Sequence, residues 1–279
     1  MKKIAIVYIK GGLGNQIFQI SFANYLSNLG LKVFVNLSNF KKAKKIKNLD
    51  VDLRQLIFPI TFFNLKVFPH FLFVIFELLV KLTKNLLITK HSDVNFKEER
   101  IGKFNFFDGH WQNPNILISN KKFILEAISK NKIVKDMLAS SAKPGSTVLH
   151  VRRGDYLKIN EELKESFYTN AIQAGKDNIE NFHYSVFTDD YEWVVSCNIF
   201  NDAEKIIESS NSTNDTLEDF AEMLTYENFI VGNSTFSLVP ALLSDAKNKI
   251  IIIADPWYRN TKINIDVPGA LKIKNQLPK

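Results

Sequence analysis

Apolar positions along this chain recur in two rhythms. Short runs of β-branched and aromatic residues alternate with longer segments in which apolar residues return every three or four positions, and they do so in two separate stretches. The short runs read as strands of parallel sheets and the longer segments as the helices that cover them, which predicts two Rossmann-like α/β domains. In the first stretch Ile4–Ile9 reads as a strand, Asn15–Leu29 as a helix stopped by Gly30, and Leu31–Leu37 as the next strand. A lysine-rich run, Lys41–Lys47, and the Phe-rich segment after it fit neither rhythm. The pattern resumes with Phe104–Phe107 as a strand and Phe123–Lys130 as a helix.

The second stretch opens after the loop Lys143-Pro144-Gly145-Ser146 and is more regular. Thr147–Val151, Tyr184–Thr188, Glu204–Glu208, Phe229–Gly232 and Lys249–Ala254 read as strands, with helices at about 166–180, 190–197, 215–226 and 236–245. The expected domains are therefore 1–143 and 144–279. Neither a solenoid-length repeat nor a low-complexity tract breaks the pattern.

Composition narrows the function classes. A chain of 279 residues with 46% hydrophobic and 23% charged residues buries a core in each of two domains and is not disordered. Cys197 is the single cysteine, so no internal disulfide forms, and the chain is expected in the reducing cytoplasm. The apolar run after Met1-Lys2-Lys3 breaks at Lys10-Gly11-Gly12 and reads as a first strand, not a signal peptide. The apolar region Leu56 to Ile88 is interrupted by Pro59, Asn64, Lys66, Pro69, Glu77, Lys81 and Lys84, so no membrane span is expected. A net charge of +7 favours anionic partners without choosing among nucleic acid, lipid and phosphorylated small molecules.

The candidate chemistry sits where predicted strands end. His150-Val151-Arg152-Arg153-Gly154-Asp155-Tyr156 follows the strand Thr147–Val151, and strand ends of open α/β sheets are where ligands bind. Two adjacent arginines there need anionic partners, and their planar forks match phosphate oxygens; the alternative is a salt-bridged strand end. Asp155 is close enough in sequence to hold one fork in place. Gly11-Gly12-Leu13-Gly14-Asn15-Gln16 follows the first strand and opens a helix, a place where backbone and anion approach closely, though its spacing is not the dinucleotide fingerprint. Thr188-Asp189-Asp190 and Gly232-Asn233-Ser234-Thr235-Phe236 end two further strands. Singly, each reads as a helix cap. Lined up with Arg152 and Arg153 on one sheet edge, they describe a pocket for a nucleotide diphosphate. Neither a Walker lysine nor a zinc-spaced His/Cys cluster is present, and Asp189-Asp190 has the wrong spacing for a metal-binding D-x-D pair, so no metal is expected.

At these residues the chain resembles glycosyltransferase family 11, the α-1,2-fucosyltransferases. The matching runs are GGLGNQIFQISFANYL from Gly11, FDGHWQNPNIL at 107–117, HVRRGDYL at 150–157, SFYTNAI at 166–172, FTDDYEWV at 187–194 and GNSTFSLVPALL at 232–243. They span most of the chain. The resemblance implies a GT-B-like fold, two Rossmann-like domains facing across a cleft, with GDP-fucose bound by the C-terminal one and transferred with inversion to a galactoside-containing glycan, free or lipid-linked. By the same resemblance Arg152 and Arg153 would hold the diphosphate, and His150 with Asp189 or Asp190 would lie near the guanosine. Asn233, Ser234, Thr235 and Phe236 would complete the donor side; Gly12, Asn15 and Gln16 would approach the sugar or acceptor. Asp155, Glu161 and Glu162 are the nearby candidates for a base. Leu238 and Val239 depart from the tryptophans, and Asn228 from the histidine, that relatives often carry, which leaves the acceptor unread.

Within the enzyme class the runner-up is transfer of another GDP-linked sugar through the same diphosphate pocket, and two rival readings come from other classes. The basic charge with Lys41–Lys47 suggests a nucleic-acid binder, but the usual modules are absent. Phe71–Val80 with its flanking lysines suggests contact with a membrane surface, which is compatible with an enzyme working peripherally at the cytoplasmic face.

Overall fold

Both stretches form parallel sheets in the computed structural model, which describes residues 2–43, 55–69, 71–73, 75, 78, 88–93, 96–139, 144–209, 212–260 and 265–275. The chain divides into two units, Met1–Lys130 and Asn131–Lys279. The helix Lys132–Leu138 packs on the helix Thr213–Met223, so the division falls ahead of the boundary expected after Lys143.

In the first unit, strands β1 (Ile4–Tyr8), β2 (Lys32–Asn36), β3 (Lys66–Val67), β4 (Thr89–His91) and β5 (Phe104–Phe107) stand in the order β3-β2-β1-β5-β4. All neighbours are parallel. The helix Leu13–Asn28 lies against this sheet and is buried on most of its surface. Phe22 on that helix stacks on Trp111 at 4.1 Å and meets Phe107 edge-on at 5.5 Å, which is where much of the Phe-rich composition goes. Gly30 ends the helix with φ of 87°. Its N–H donates to Ser27 O while Leu31 N–H reaches back to Leu26 O, the paired bonds of a Schellman stop.

In the second unit, β6 (Ser146–Val151), β7 (His183–Thr188), β8 (Lys205–Glu208), β9 (Asn228–Gly232), β10 (Ile251–Asp255) and β11 (Leu271–Lys274) form a parallel sheet ordered β11-β10-β9-β6-β7-β8. The central strands β6 and β9 are buried along their whole length, as apolar runs in a sheet covered on both faces must be. Leu149, Val151, Phe167, Tyr168, Val186 and Ile230 belong to the core they share with the helix Glu165–Asn178. Cys197 is buried beside this core, and burial together with the Glu165 carboxylate raises the pKa of its thiol.

The sheet runs β6, β7, β8 to one side and then β9, β10, β11 to the other. The strand order therefore reverses between β6 and β9. A crevice opens at such a reversal, beyond the carboxyl ends of the strands, because the two following connections leave in opposite directions. In the first unit the chain instead visits the edge strand β4 before returning inward to β5 beside β1.

From Lys44 onward the lysine run lies outside the described residues, as does much of 70–87. No helix among the described residues is long and apolar enough to cross a membrane.

Asp219, on the helix Thr213–Met223, is 7% exposed, and its Oδ2 has no hydrogen-bond partner among the described residues. Burial pushes its pKa up from 3.8 to about 6 against the pull of the Ser209 hydroxyl. A carboxyl whose folded pKa exceeds its unfolded one lowers stability as pH rises through that window and leaves it untouched below. Asp219→Asn should therefore gain about 2–4 °C in Tm relative to the unsubstituted protein as pH rises from 4 to 7. Thermal melts across that range check this; a Tm difference that stays constant with pH would refute it.

Candidate active site

Strands β7, β6 and β9 are neighbours, so three of the strand ends singled out in the sequence share one edge. Val151 pairs with Thr188, and Leu149 with Ile230, which brings the ends of the three strands level. The residues that follow, Arg152, Asp189 and Asn233, leave the sheet together at its point of reversal.

The two arginines are held differently. Arg152 grips Asp155 through Nε at 2.9 Å and Nη2 at 2.7 Å, and its Nη1 lies 2.9 Å from Asp189 Oδ2. It is strapped between two carboxylates. Arg153 donates from Nε to Asp190 Oδ2 at 2.9 Å, and its guanidinium lies 3.9 Å from the centre of the Trp193 ring. Among the described residues its two terminal nitrogens have no partner, so the outer fork of Arg153 is available to an anion. Trp193 and Tyr168, with rings 6.0 Å apart, stand together beside it.

Each acidic residue carries more than one bond. Asp189 accepts the Arg153 N–H on Oδ1 at 2.8 Å while Oδ2 holds Arg152. Asp190 both caps the helix Tyr191–Ser196, accepting from Trp193 N at 3.3 Å, and holds Arg153. Its two oxygens thus divide between the helix cap and the Arg153 guanidinium. Gly154 lets the backbone pass: a Cβ there would stand 2.7 Å from Asp189 Oδ2.

The turn after β9 leads into the helix Thr235–Leu243, whose N-cap residue Ser234 makes no side-chain cap. Its first backbone N–H groups and the positive end of its dipole favour an anion. Asn233 does not offer its amide outward. The side chain is 1% exposed and donates to Glu161 O at 2.8 Å, so the residue shapes the turn and does not serve as a ligand group. His150 is enclosed too, at 3% exposure. Its Nδ1 lies 3.0 Å from the Ser237 hydroxyl and its ring 5.8 Å from Phe236. Burial, helped by the Arg152 charge, pushes its pKa down to about 3 and keeps it neutral.

A model of glycosyl transferase family 11 matches residues 7–265. The chain belongs to glycosyl transferase family 11.

It is similar to an α-1,2-colitosyltransferase of Escherichia coli, with 27% identity over 94% of each chain. It is also similar to the O-antigen biosynthesis glycosyltransferase WbnK of Escherichia coli, at 24% identity over 56% of this chain and 57% of that one. Among solved structures it resembles a mutant of Arabidopsis thaliana FUT1 in complex with GDP, at 11% identity, covering 91% of this chain and 70% of that chain with a TM-score of 0.47. The family 11 chain is a glycosyltransferase built on two α/β units, each with its own parallel sheet.

Three further positions complete the account of this family 11 chain. Gly12 precedes the helix Leu13–Asn28 with extended backbone, and Asn15 Oδ1 accepts from Gln112 Nε2 at 2.8 Å. Gln16 corrects the expectation of an open contact. It is 1% exposed, its Nε2 donates to Gly11 O and Gln55 O, and its Oε1 accepts Ile57 N–H, so both ends of the amide are spent on the fold. The proposed bases narrow as well. Both oxygens of Glu161 accept backbone N–H groups, from Arg259 and Asn260, each at 2.8 Å. Burial acts to raise the pKa of Glu162, but Lys164 at 2.6 Å and the Arg259 charge hold it below the ordinary range. Among the described residues no group of three or more His, Cys, Asp or Glu is placed to hold a metal ion.

The roles of Trp193, of Arg259 and of Glu161 as an acceptor of backbone N–H groups lie beyond what the sequence alone points to. Trp193 carries a faint signal, three residues into a helix that opens on Asp190. Arg259 carries none.

Proposed function

We propose that the edge formed by Arg152, Arg153, Asp189 and the 233–236 turn binds GDP-fucose. The chain then transfers L-fucose, with inversion and without a metal ion, to a hydroxyl of a surface glycan or its precursor, O2 of a β-galactoside. The observation that carries this is the fork of Arg153, whose terminal nitrogens have no partner among the described residues and which Asp190 and Trp193 hold beside the ends of β6 and β7. A guanidinium so fixed suits a diphosphate in shape and charge.

In the proposed reaction the acceptor hydroxyl oxygen attacks the anomeric carbon and releases its proton to solvent, the bond from that carbon to the phosphate oxygen breaks, and GDP leaves with the bonding pair. The Arg153 fork and the N–H groups that open the helix Thr235–Leu243 meet the charge that grows on the departing phosphate, where fixed donors act most strongly. Because Asp155, Asp189 and Asp190 are already committed to the arginines, they serve to aim positive charge and not to gather a cation.

A second reading is favoured by one relative: the donor sugar is colitose, which is L-fucose without its 3-hydroxyl. The diphosphate chemistry is common to both, so only the sugar contacts would differ.

Purified protein incubated with GDP-fucose or GDP-colitose, β-galactoside acceptors and EDTA should release GDP only when acceptor is present. Release from GDP-colitose alone would replace fucose by colitose. Release abolished by EDTA and restored by a divalent ion would end the metal-free mechanism, and no release from either donor by folded protein would end the donor assignment.

A further inference from the structure

Asn233 is gripped at both ends by one loop. Its side-chain Nδ2 donates to Glu161 O at 2.8 Å, and its own carbonyl accepts from the Tyr156 hydroxyl at 3.1 Å. Burial raises the Tyr156 pKa further above its ordinary value, so this hydroxyl stays a donor. Glu161 N–H in turn donates to Tyr156 O at 3.0 Å, which closes the loop on itself. The turn at 233–235 therefore takes its shape from residues 156–161.

Those residues are locked from the far side by a reciprocal clamp. The Glu161 carboxylate, 3% exposed, accepts Arg259 N–H and Asn260 N–H, both at 2.8 Å. The Arg259 side chain, 4% exposed, returns the contact, donating from Nη2 to Asn160 O at 2.6 Å and Glu162 O at 2.9 Å. Each charged side chain thus holds the backbone of the segment that bears the other. A buried carboxylate served by two N–H groups is well satisfied, and removing one partner leaves the others buried and unpaired.

We propose that Glu161 and Arg259 are positioning residues: the clamp they form sets the 233–235 turn, through Asn233, in the conformation that receives the leaving diphosphate. The role in donor binding rests on the function proposed above; the control of the turn stands on the geometry alone. Neither residue touches the substrate. The sequence Pro256-Trp257-Tyr258-Arg259-Asn260 after β10 thereby acts on the strand end of its neighbour β9.

The test is the Glu161→Gln variant, whose amide accepts one N–H and turns its own donors toward the other. Backbone amides of 233–236 should exchange with solvent about tenfold faster in the folded variant. The donor kcat/KM should fall about tenfold, through a lower kcat as well as a higher donor KM, with the acceptor KM little changed. In an Asn233→Ala background Glu161→Gln should add almost nothing, because both act on the same turn. Arg259→Lys, which keeps the charge and a nitrogen with several donors on a shorter side chain, should move the same readouts less and stands in if Glu161→Gln fails to fold. Unchanged exchange at 233–236, or additive effects in the double variant, would overturn the clamp. If the unsubstituted protein binds no nucleotide sugar, the donor assignment falls on its own, and the exchange rates still decide whether the clamp sets the turn.

Discussion

Arg153→Ala should lower kcat/KM about 10²–10³-fold and leave the protein folded. The guanidinium lies across Trp193 and against Asp190, with its outer nitrogens unengaged among the described residues. Its loss removes donors aimed at the departing phosphate but leaves only Asp190, 27% exposed, to be rehydrated. The change should therefore fall on the reaction more than on the fold. Because negative charge on the leaving group grows toward the transition state, much of the loss should be in kcat and not only in KM. Arg153→Lys should recover only a small part, since an ammonium keeps the charge but not the planar pair of donors or the stacking on Trp193. Steady-state kinetics of the three proteins, with thermal melts as a control for folding, check this. An Arg153→Lys enzyme as active as the unsubstituted one would show that charge alone suffices.

Asp189→Asn should be the more damaging change to the whole edge. The side chain, 13% exposed, serves the Arg153 N–H on one oxygen and Arg152 Nη1 on the other. An amide of the same shape has one acceptor and so turns its NH2 group toward one of two donors. Breaking a largely buried pair from one side costs about 3 kcal/mol, much of it from the charge left behind. Denaturant melts should show a loss of that size, and GDP affinity should fall about 100-fold as Arg152 and the Arg153 backbone shift. Asp190→Asn provides the contrast: its oxygen on Arg153 is more exposed, so stability should change little. Equal stability losses in the two variants would contradict this division of labour.

How far the sequence is legible follows from which residues are constrained locally. The buried strands β6, β7 and β9 announce themselves, because a sheet covered on both faces favours short runs dominated by β-branched and aromatic residues. Strands β3 and β4 do not, since two and three residues are too few to show a period. At the edge of the second sheet β11 alternates half-buried with exposed positions and carries two lysines, so it reads as a loop. The site is legible as a set of residue types at aligned strand ends. The direction in which each side chain turns is not. Nothing in Arg152-Arg153 tells the strapped guanidinium from the one with an open fork. Asn233 and Gln16 carry amides that suit a ligand equally well, and tertiary contacts alone turn them inward. The Glu161–Arg259 clamp joins positions far apart in sequence, with no local pattern to mark it.

The enclosure of Cys197 has a practical consequence for studying motion. With one cysteine in the chain, buried and with its thiol pKa raised, the protein is close to silent toward thiol-directed dyes at neutral pH. A pair of surface cysteines introduced one per unit would accept donor and acceptor fluorophores without first stripping the native residue. Single-molecule distance traces would then report whether the separation of the two labels changes when GDP-fucose is added.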